Sequence, residues 1–237
     1  MVKKLEWNGK EINELLVNGN EKIGKNIWHF STTPGCQSCG GTCFGTCKGC
    51  YGMCGNYRYA SVKNALAMRT EIAKTDLEFF TAEIIKEIKK HHIQYVRIHA
   101  TGDFFSREYV NAWYEIATAC KGTRFWTYTK SYGHGFDDAL DRLNGLENVN
   151  IVHSIVPGCG FNFGHCDYIL DTYYKLLASG EKPFICRCGI DKNQHCNNCT
   201  KCSTCKYVLF IEHSTEYKAK KDPAFETIKK VIENQGE

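Results

Sequence analysis

The chain has 237 residues, a formal net charge of +4 and 43% hydrophobic residues. That length and apolar content support one sizeable packed α/β domain over residues 1–237 and exclude wholesale disorder. The charge is too small to indicate a nucleic-acid partner by itself, and no apolar run is long enough to span a bilayer, so no membrane partner is expected.

The first residues, MVKKLEWNGKEINELL, contain no continuous apolar segment of the signal-peptide kind, which predicts a cytoplasmic protein. Residues 1–26 read as a polar surface lead-in with a short helical patch around Ile12 to Val17. Residues 27–32, IWHFST, read as a first strand, stopped by Thr33-Pro34-Gly35. A helix is expected from about Ala60, with Ala65, Leu66, Met68 and Ile72 on its packed side. The next helix starts near Thr75-Asp76, where Thr75 and Glu78 have capping-box spacing, and Leu77, Phe80, Ile84 and Ile88 form its stripe.

Residues 94–100 alternate and predict a strand, with His99 on the face opposite Val96 and Ile98. Ser106 is placed to cap a helix running to about Cys120, with Tyr109, Val110, Trp113, Ile116 and Ala117 buried and Cys120 a structural thiol. A strand at 124–129, a short helix at 136–143, a strand at 149–156 and a helix at 167–178 follow. Phe184 and Ile185 suggest a short strand, residues 207–212 a longer one, and Asp222-Pro223 the start of a last helix. Strands alternating with helices imply a mostly parallel sheet, either open or curled into a partial (βα) barrel. Ligands then gather beyond the carboxyl ends of the strands. Three segments lie there: the loop from Pro34, Thr101-Gly102-Asp103-Phe104-Phe105, and Thr129-Lys130-Ser131-Tyr132-Gly133-His134-Gly135.

The chemistry-bearing residues are cysteines, 15 in all. In a reducing compartment a dense, odd-numbered set points to metal or redox chemistry before disulfides. Cys36, Cys39, Cys43, Cys47, Cys50 and Cys54 fill the first loop, 34–57, with glycine between them. Such a segment has little to bury and needs something to bind its thiols. Cys43-x3-Cys47-x2-Cys50 suits three thiolates on a [4Fe–4S] cluster, leaving one iron open, whereas electron-transfer clusters use four cysteines. The second region, about 157–206, holds Cys159, Cys166, Cys186, Cys188, Cys196, Cys199, Cys202 and Cys205. Its CxxCxxCxxC run is ferredoxin-like, and eight cysteines suffice for two four-cysteine clusters. Zinc remains the alternative, through Cys36-x2-Cys39 with Cys47-x2-Cys50, or Cys196-x2-Cys199 with Cys202-x2-Cys205. Asp103 is the candidate ligand-binding carboxylate, with hydrogen bonding to its own loop as the plain alternative. Lys130 and Ser131 end the third strand and are candidate contacts for a substrate or SAM carboxylate, with a solvated lysine as the plain alternative.

The run CFGTCKGC after the first strand resembles the CxxxCxxC of the radical S-adenosylmethionine (SAM) superfamily. Thr101-Gly102-Asp103 stands where that family has a GGE-like segment, with Asp for Glu; Gly49 replaces the usual aromatic before the third cysteine. The resemblance implies SAM held at the open iron of a [4Fe–4S] cluster, supported by Gly102 and Asp103. It also implies auxiliary clusters in the second region, an electron-donor protein and an unknown substrate. A closer resemblance, spanning about 34–205, is to the phage "gene 88 protein" family. It rests on TPGC…CKGCYG, RIHATGDFFSREYVNAWYEIA, RFWTYTKSY and Cys186…Cys196-x2-Cys199-x2-Cys202. Two expectations from other classes stand beside the SAM enzyme: a non-SAM iron–sulfur protein, and a zinc-ribbon module binding nucleic acid.

Overall fold

The computed structural model describes residues 5–19, 23–44, 50–153, 163–191, 194–211 and 219–235. The chain begins with a hairpin, β1 (Leu5–Trp7) and β2 (Lys10–Ile12), paired antiparallel. Its two-residue turn places both Asn8 and Gly9 at positive φ, 49° and 70°, the backbone that matches the twist of the flanking strands. β3 (Val17–Asn18) follows. The expected surface lead-in is therefore corrected: Trp7, Ile12, Leu15 and Leu16 belong to the main core. No helix forms at 12–17, because the main chain there finds its partners in other elements. The Leu15 and Leu16 N–H groups donate to the Glu87 carboxylate at 2.6 and 2.8 Å, and the Leu15 carbonyl accepts from Arg69 Nε at 2.9 Å.

After β4 (Trp28–His29) come α1 (Ala60–Thr75), α2 (Leu77–Lys90), β5 (Tyr95–Arg97) and α3 (Arg107–Ala119). β6 (Arg124–Thr129), α4 (Asp137–Asn144) and β7 (Val149–His153) complete the first half. Ser106 caps α3 as expected, accepting from the Tyr109 N–H at 3.2 Å. The cap of α2 is one residue later than the capping-box reading: Asp76 accepts from Phe79 N–H at 3.1 Å and from Trp7 Nε1 at 3.0 Å.

The main sheet has the order β3-β4-β5-β6-β7, with β3 antiparallel and the remaining strands parallel. Sheet order follows chain order. Right-handed crossovers that all advance in one direction put their helices on one face. That face holds the core, where Phe80 and Ile84 of α2, Trp113 and Ile116 of α3, and Leu140 of α4 meet Val96, Phe125 and Ile151. Its centre is aromatic: Trp113 lies 5.8 Å from Phe30 and 5.5 Å from Phe80, both edge-on. The predicted α/β class with a mostly parallel sheet is present, and β3 and β7 form the sheet's two edges.

The other face has no helix of this set. It presents Tyr95, Trp126, Tyr128 and Val152, covered by Ile23, Ile27 and the cysteine segment 186–205. A second, three-stranded parallel sheet completes the fold, with β8 (Phe163–Gly164), β9 (Pro183–Ile185) and β10 (Tyr207–Ile211) in the order β8-β10-β9. It shares a separate core with α5 (Cys166–Ala178) and α6 (Phe225–Asn234), built from Ile169, Ile185, Leu209, Ile211 and Ile228. α6 starts two residues after Pro223, since Asp222 Oδ1 accepts from Ala224 N–H at 2.8 Å and turns the chain first. Among the described residues no helix is long and apolar enough to cross a membrane.

Candidate metal centres

The first centre lies at the carboxyl ends of the parallel strands. Beyond β4 the chain stays extended alongside the segment after β5: Phe30 N–H donates to Arg97 O at 3.2 Å and Thr32 N–H to Thr101 O at 3.1 Å. Residues 35–43 then close a tight loop. Gln37 N–H donates to Cys43 O, Cys43 N–H to Gly35 O and Gly41 N–H to Cys36 O, each at 3.0 Å. A Cβ on Gly41 would lie 2.1 Å from the Gly35 carbonyl oxygen, so only glycine fits this crossing. The loop brings the Cys36 backbone beside that of Cys43. After Cys50 the chain presses back, and a Cβ on Gly52 would stand 2.5 Å from Thr101 Oγ1.

Cys36, Cys43 and Cys50 are half-buried, and Cys54 is exposed at the rim. Burial pushes the Cys43 thiol up to about 12; the nearby Asp103 and Cys50 add to the rise, and Lys130 opposes it. Cys43, Cys50, Asp103 and Lys130 thus share one electrostatic neighbourhood. Phe44 stacks on His134 at 3.8 Å, so all three segments expected beyond the strand ends meet here. Cys47 lies outside the described residues, as does the side chain of Cys39.

The Thr101-Gly102-Asp103 turn holds this arrangement together. Gly102 has φ +85°, and a Cβ there would lie 1.8 Å from Thr32 Oγ1. The Thr42 hydroxyl shares a 2.8 Å hydrogen bond with Thr32 Oγ1 and accepts from Asp103 N–H at 3.1 Å. Asp103 is buried and its carboxylate is occupied by the protein. Oδ1 accepts from Thr129 Oγ1 at 2.6 Å and Phe104 N–H at 2.9 Å, and Oδ2 accepts from Lys130 N–H at 2.8 Å. Burial raises its carboxyl above the ordinary carboxylate range, against the pull of these donors. Asp103 therefore ties the turn after β5 to the end of β6 and, through Thr42, to the cysteine loop. His99 is corrected: it is turned to the helix side, not opposite Ile98, because β5 ends at Arg97 and the alternation ends with it. Its ring is 3.0 Å from the Tyr109 hydroxyl, and burial lowers it to about 3.

The second centre lies on the helix-free face. Cys186 continues from β9, its N–H donating to Leu209 O at 2.8 Å. Three 3₁₀ turns follow, at Arg187–Gly189, Cys196–Asn198 and Lys201–Ser203. They coil the segment so that Cys199 N–H donates to Cys196 O at 3.1 Å and Cys205 N–H to Lys201 O at 2.8 Å. Thr200 makes the bend between them at φ 49°. Asn150 of β7 fixes the coil to the sheet, its Nδ2 donating to Cys202 O at 2.8 Å and to Cys205 O at 3.0 Å. Cys188, Cys199, Cys202 and Cys205 pack with Tyr128 on Cys186, Val152, Phe184 and Val208. Cys196 and Cys202 pack against the cluster of Ile23, Ile27 and Trp126. Burial pushes the Cys202 thiol up to about 12; the Tyr128 hydroxyl and Arg97 oppose the rise, and Cys196 and Cys199 add to it.

Six of the eight cysteines expected in this region are thus gathered in one place. Cys166 is apart, fully buried in the second core with Ile169 and Ile185, and Cys159 lies outside the described residues. Reading the sequence missed Tyr128, Asn150 and Thr42. The signal for the first two was present: on strands whose alternate positions are core, they point the other way.

Ligand spacing separates the metal classes. Four thiolates on one zinc at 2.3 Å stand about 3.8 Å apart, whereas in an iron–sulfur cluster each thiolate binds a different iron and the sulfurs spread wider. Among the described residues no three cysteine sulfurs lie within 4.8 Å of one another. The group that does meet this distance is His165, Asp167 and Asp222, at the start of α5. There the helix N-terminus disfavours a cation, and both aspartates accept backbone N–H groups, from Tyr168 and Ala224 at 2.8 Å.

The family model described as gene product 88 matches residues 7–156. No curated protein and no solved structure matches the chain. The matched span contains β2 to β7, the first cysteine loop and the Thr101-Gly102-Asp103 turn, and it stops before the second cysteine segment. It covers more than half of the chain, and the protein belongs to the gene product 88 family.

Proposed function

We propose that this is an iron–sulfur protein with two centres on one sheet: one at the strand ends, one on the helix-free face. The observation that carries the reading is the gathering of Cys186, Cys188, Cys199, Cys202 and Cys205 around Val152 and Phe184, with Cys196 beside them on the cluster of Ile23, Ile27 and Trp126. Six thiols gathered here between short 3₁₀ turns, beside the apolar contacts of Trp126, Val152, Phe184 and Val208, read as ligands of a bound group that adds to the cohesion of this face. The near-contiguous CxxCxxCxxC spacing of Cys196, Cys199, Cys202 and Cys205 favours a cluster over zinc.

At the first centre the residues fit a cluster with an exchangeable iron. Cys43 and Cys50 supply thiolates, Cys47 has the spacing of a third, and Lys130 offers a positive charge beside them. SAM is the ligand that the CxxxCxxC resemblance assigns to that iron, and it would supply radical chemistry when bound. Thr42, Gly102 and Asp103 serve by holding the loop to the strand ends. A second reading, an iron–sulfur protein that does not use SAM, is favoured by one observation: the Asp103 carboxylate accepts from Thr129 Oγ1, Phe104 N–H and Lys130 N–H, which engages it in the fold.

EPR of the dithionite-reduced protein, with and without SAM, tests the proposal. SAM altering one of two cluster signals supports the enzyme reading. Unaltered cluster signals assign the protein to the second reading. A colourless protein without labile sulfide overturns both.

A further inference from the structure

Among the described residues of the first loop, Cys36 is a half-buried thiol that the CxxxCxxC pattern does not use, and the fold gives it a definite place. Cys36 and Cys43 stand opposite each other across a parallel β-bridge. Two backbone bonds of 3.0 Å make that bridge: Gln37 N–H donates to Cys43 O, and Cys43 N–H donates to Gly35 O. Residues opposite one another on paired extended segments lie about 4.8 Å apart and carry their side chains on the same face. The two thiols therefore start from one side of one frame. Gly41 closes that frame: its N–H donates to Cys36 O at 3.0 Å, and the crossing there admits no side chain. The Ser38 hydroxyl lies 3.1 Å from Cys36 Sγ, where it can donate to a ligand sulfur.

We infer that Cys36 ligates the same group as Cys43 and supplies a fourth thiolate, at the iron that the CxxxCxxC pattern leaves open. The inference rests on the iron–sulfur reading of the first centre. It makes the resting cluster fully ligated by protein. In the enzyme reading Cys36 gives way to SAM; in the second reading it stays, which is the four-cysteine ligation of electron-transfer clusters.

The test is iron retention by the anaerobically purified full chain after mild ferricyanide oxidation, followed by EPR. An iron without a protein ligand is the one that a [4Fe–4S] cluster loses on oxidation, leaving a three-iron cluster with its own EPR signal. Relative to wild type, Cys36→Ala is expected to lose about one more iron per chain and to gain the three-iron signal. Cys120→Ala, which removes a thiol at the end of α3, is expected to behave as wild type. If Cys36→Ala does not assemble the first centre, Cys36→Ser is read instead. Its oxygen ligates iron more weakly than sulfur, so the EPR signal of one centre is expected to shift while the other stays unchanged. Iron loss and EPR signals equal to those of wild type, in whichever variant is read, overturn the inference and leave the iron–sulfur reading standing. Absence of iron and sulfide from the wild-type protein overturns the reading itself.

Discussion

The two faces of the main sheet are held by different physics. The helix face is an apolar core, in which Phe30, Phe80, Trp113 and Phe125 are fully buried and meet edge-on. The cysteine face also has buried apolar residues, Trp126, Val152, Phe184 and Val208, but in smaller clusters; it is held as well by 3₁₀ turns, by Asn150 and, in the proposed function, by a cluster. A core of the first kind exists wherever the chain folds. In the proposed function the second kind of surface depends on a bound group, so the two faces are expected to separate under the right perturbation.

The largest separation is expected from Trp113→Ala. Removing a fully buried indole costs about 3–5 kcal/mol, so the chemical-denaturation midpoint falls sharply, whether or not metal is bound. A loss below about 1 kcal/mol would contradict the placement of Trp113 at the centre of the helix face. Next is Asp103→Ala, which strands the Thr129 hydroxyl and the Phe104 and Lys130 N–H groups. About 3 kcal/mol is expected, and Asp103→Asn loses less. If Asp103→Asn leaves the denaturation midpoint unchanged yet abolishes the SAM effect on EPR, the carboxylate serves the ligand instead of the fold.

The pH response probes the helix face through His99. Burial lowers His99 to about 3 and His29 to about 4, from an ordinary 6.5. Both therefore bind fewer protons folded than unfolded. Their contribution is full above 6.5 and falls as pH drops toward 4 and 3, by up to about 1.4 kcal/mol per unit for each. Glu87 runs the other way: burial raises it to about 7, so its contribution is present at low pH and lost as pH rises through 7. His99→Gln is expected to make the acid-side slope of stability against pH shallower, by about half; an unaltered slope would place the acid sensitivity elsewhere. The smallest effect is that of Asn150→Ala, about 1–2 kcal/mol from two lost hydrogen bonds. Hydrogen exchange is expected to quicken at residues 196–205 and not in α2 or α3; uniform quickening would mean the faces are not separable.

Much of the helix face was legible in the sequence, because its signals are periodic and local. The stripe Tyr109, Val110, Trp113, Ile116 and Ala117 and the Ser106 cap both read correctly. The N-terminal residues did not, since strands of two or three residues carry no period and Leu15 and Leu16 are held by Glu87, 72 and 71 positions away. His99 was misread because alternation was extended past Arg97, where the strand ends. The cysteines announced themselves by composition, but their partition is tertiary. Spacing places Cys166 among the second group, whereas the packing of α5 buries it elsewhere. Nor does any local pattern join Asn150 to Cys202, since the bond closes over 52 residues.

The most direct test is the metal and labile-sulfide content of the anaerobically purified protein. Iron and sulfide in near-equal amounts, at about four or more of each per chain, with a brown colour, are expected for [4Fe–4S] ligation by cysteine. Zinc without sulfide, in a colourless protein, would contradict it.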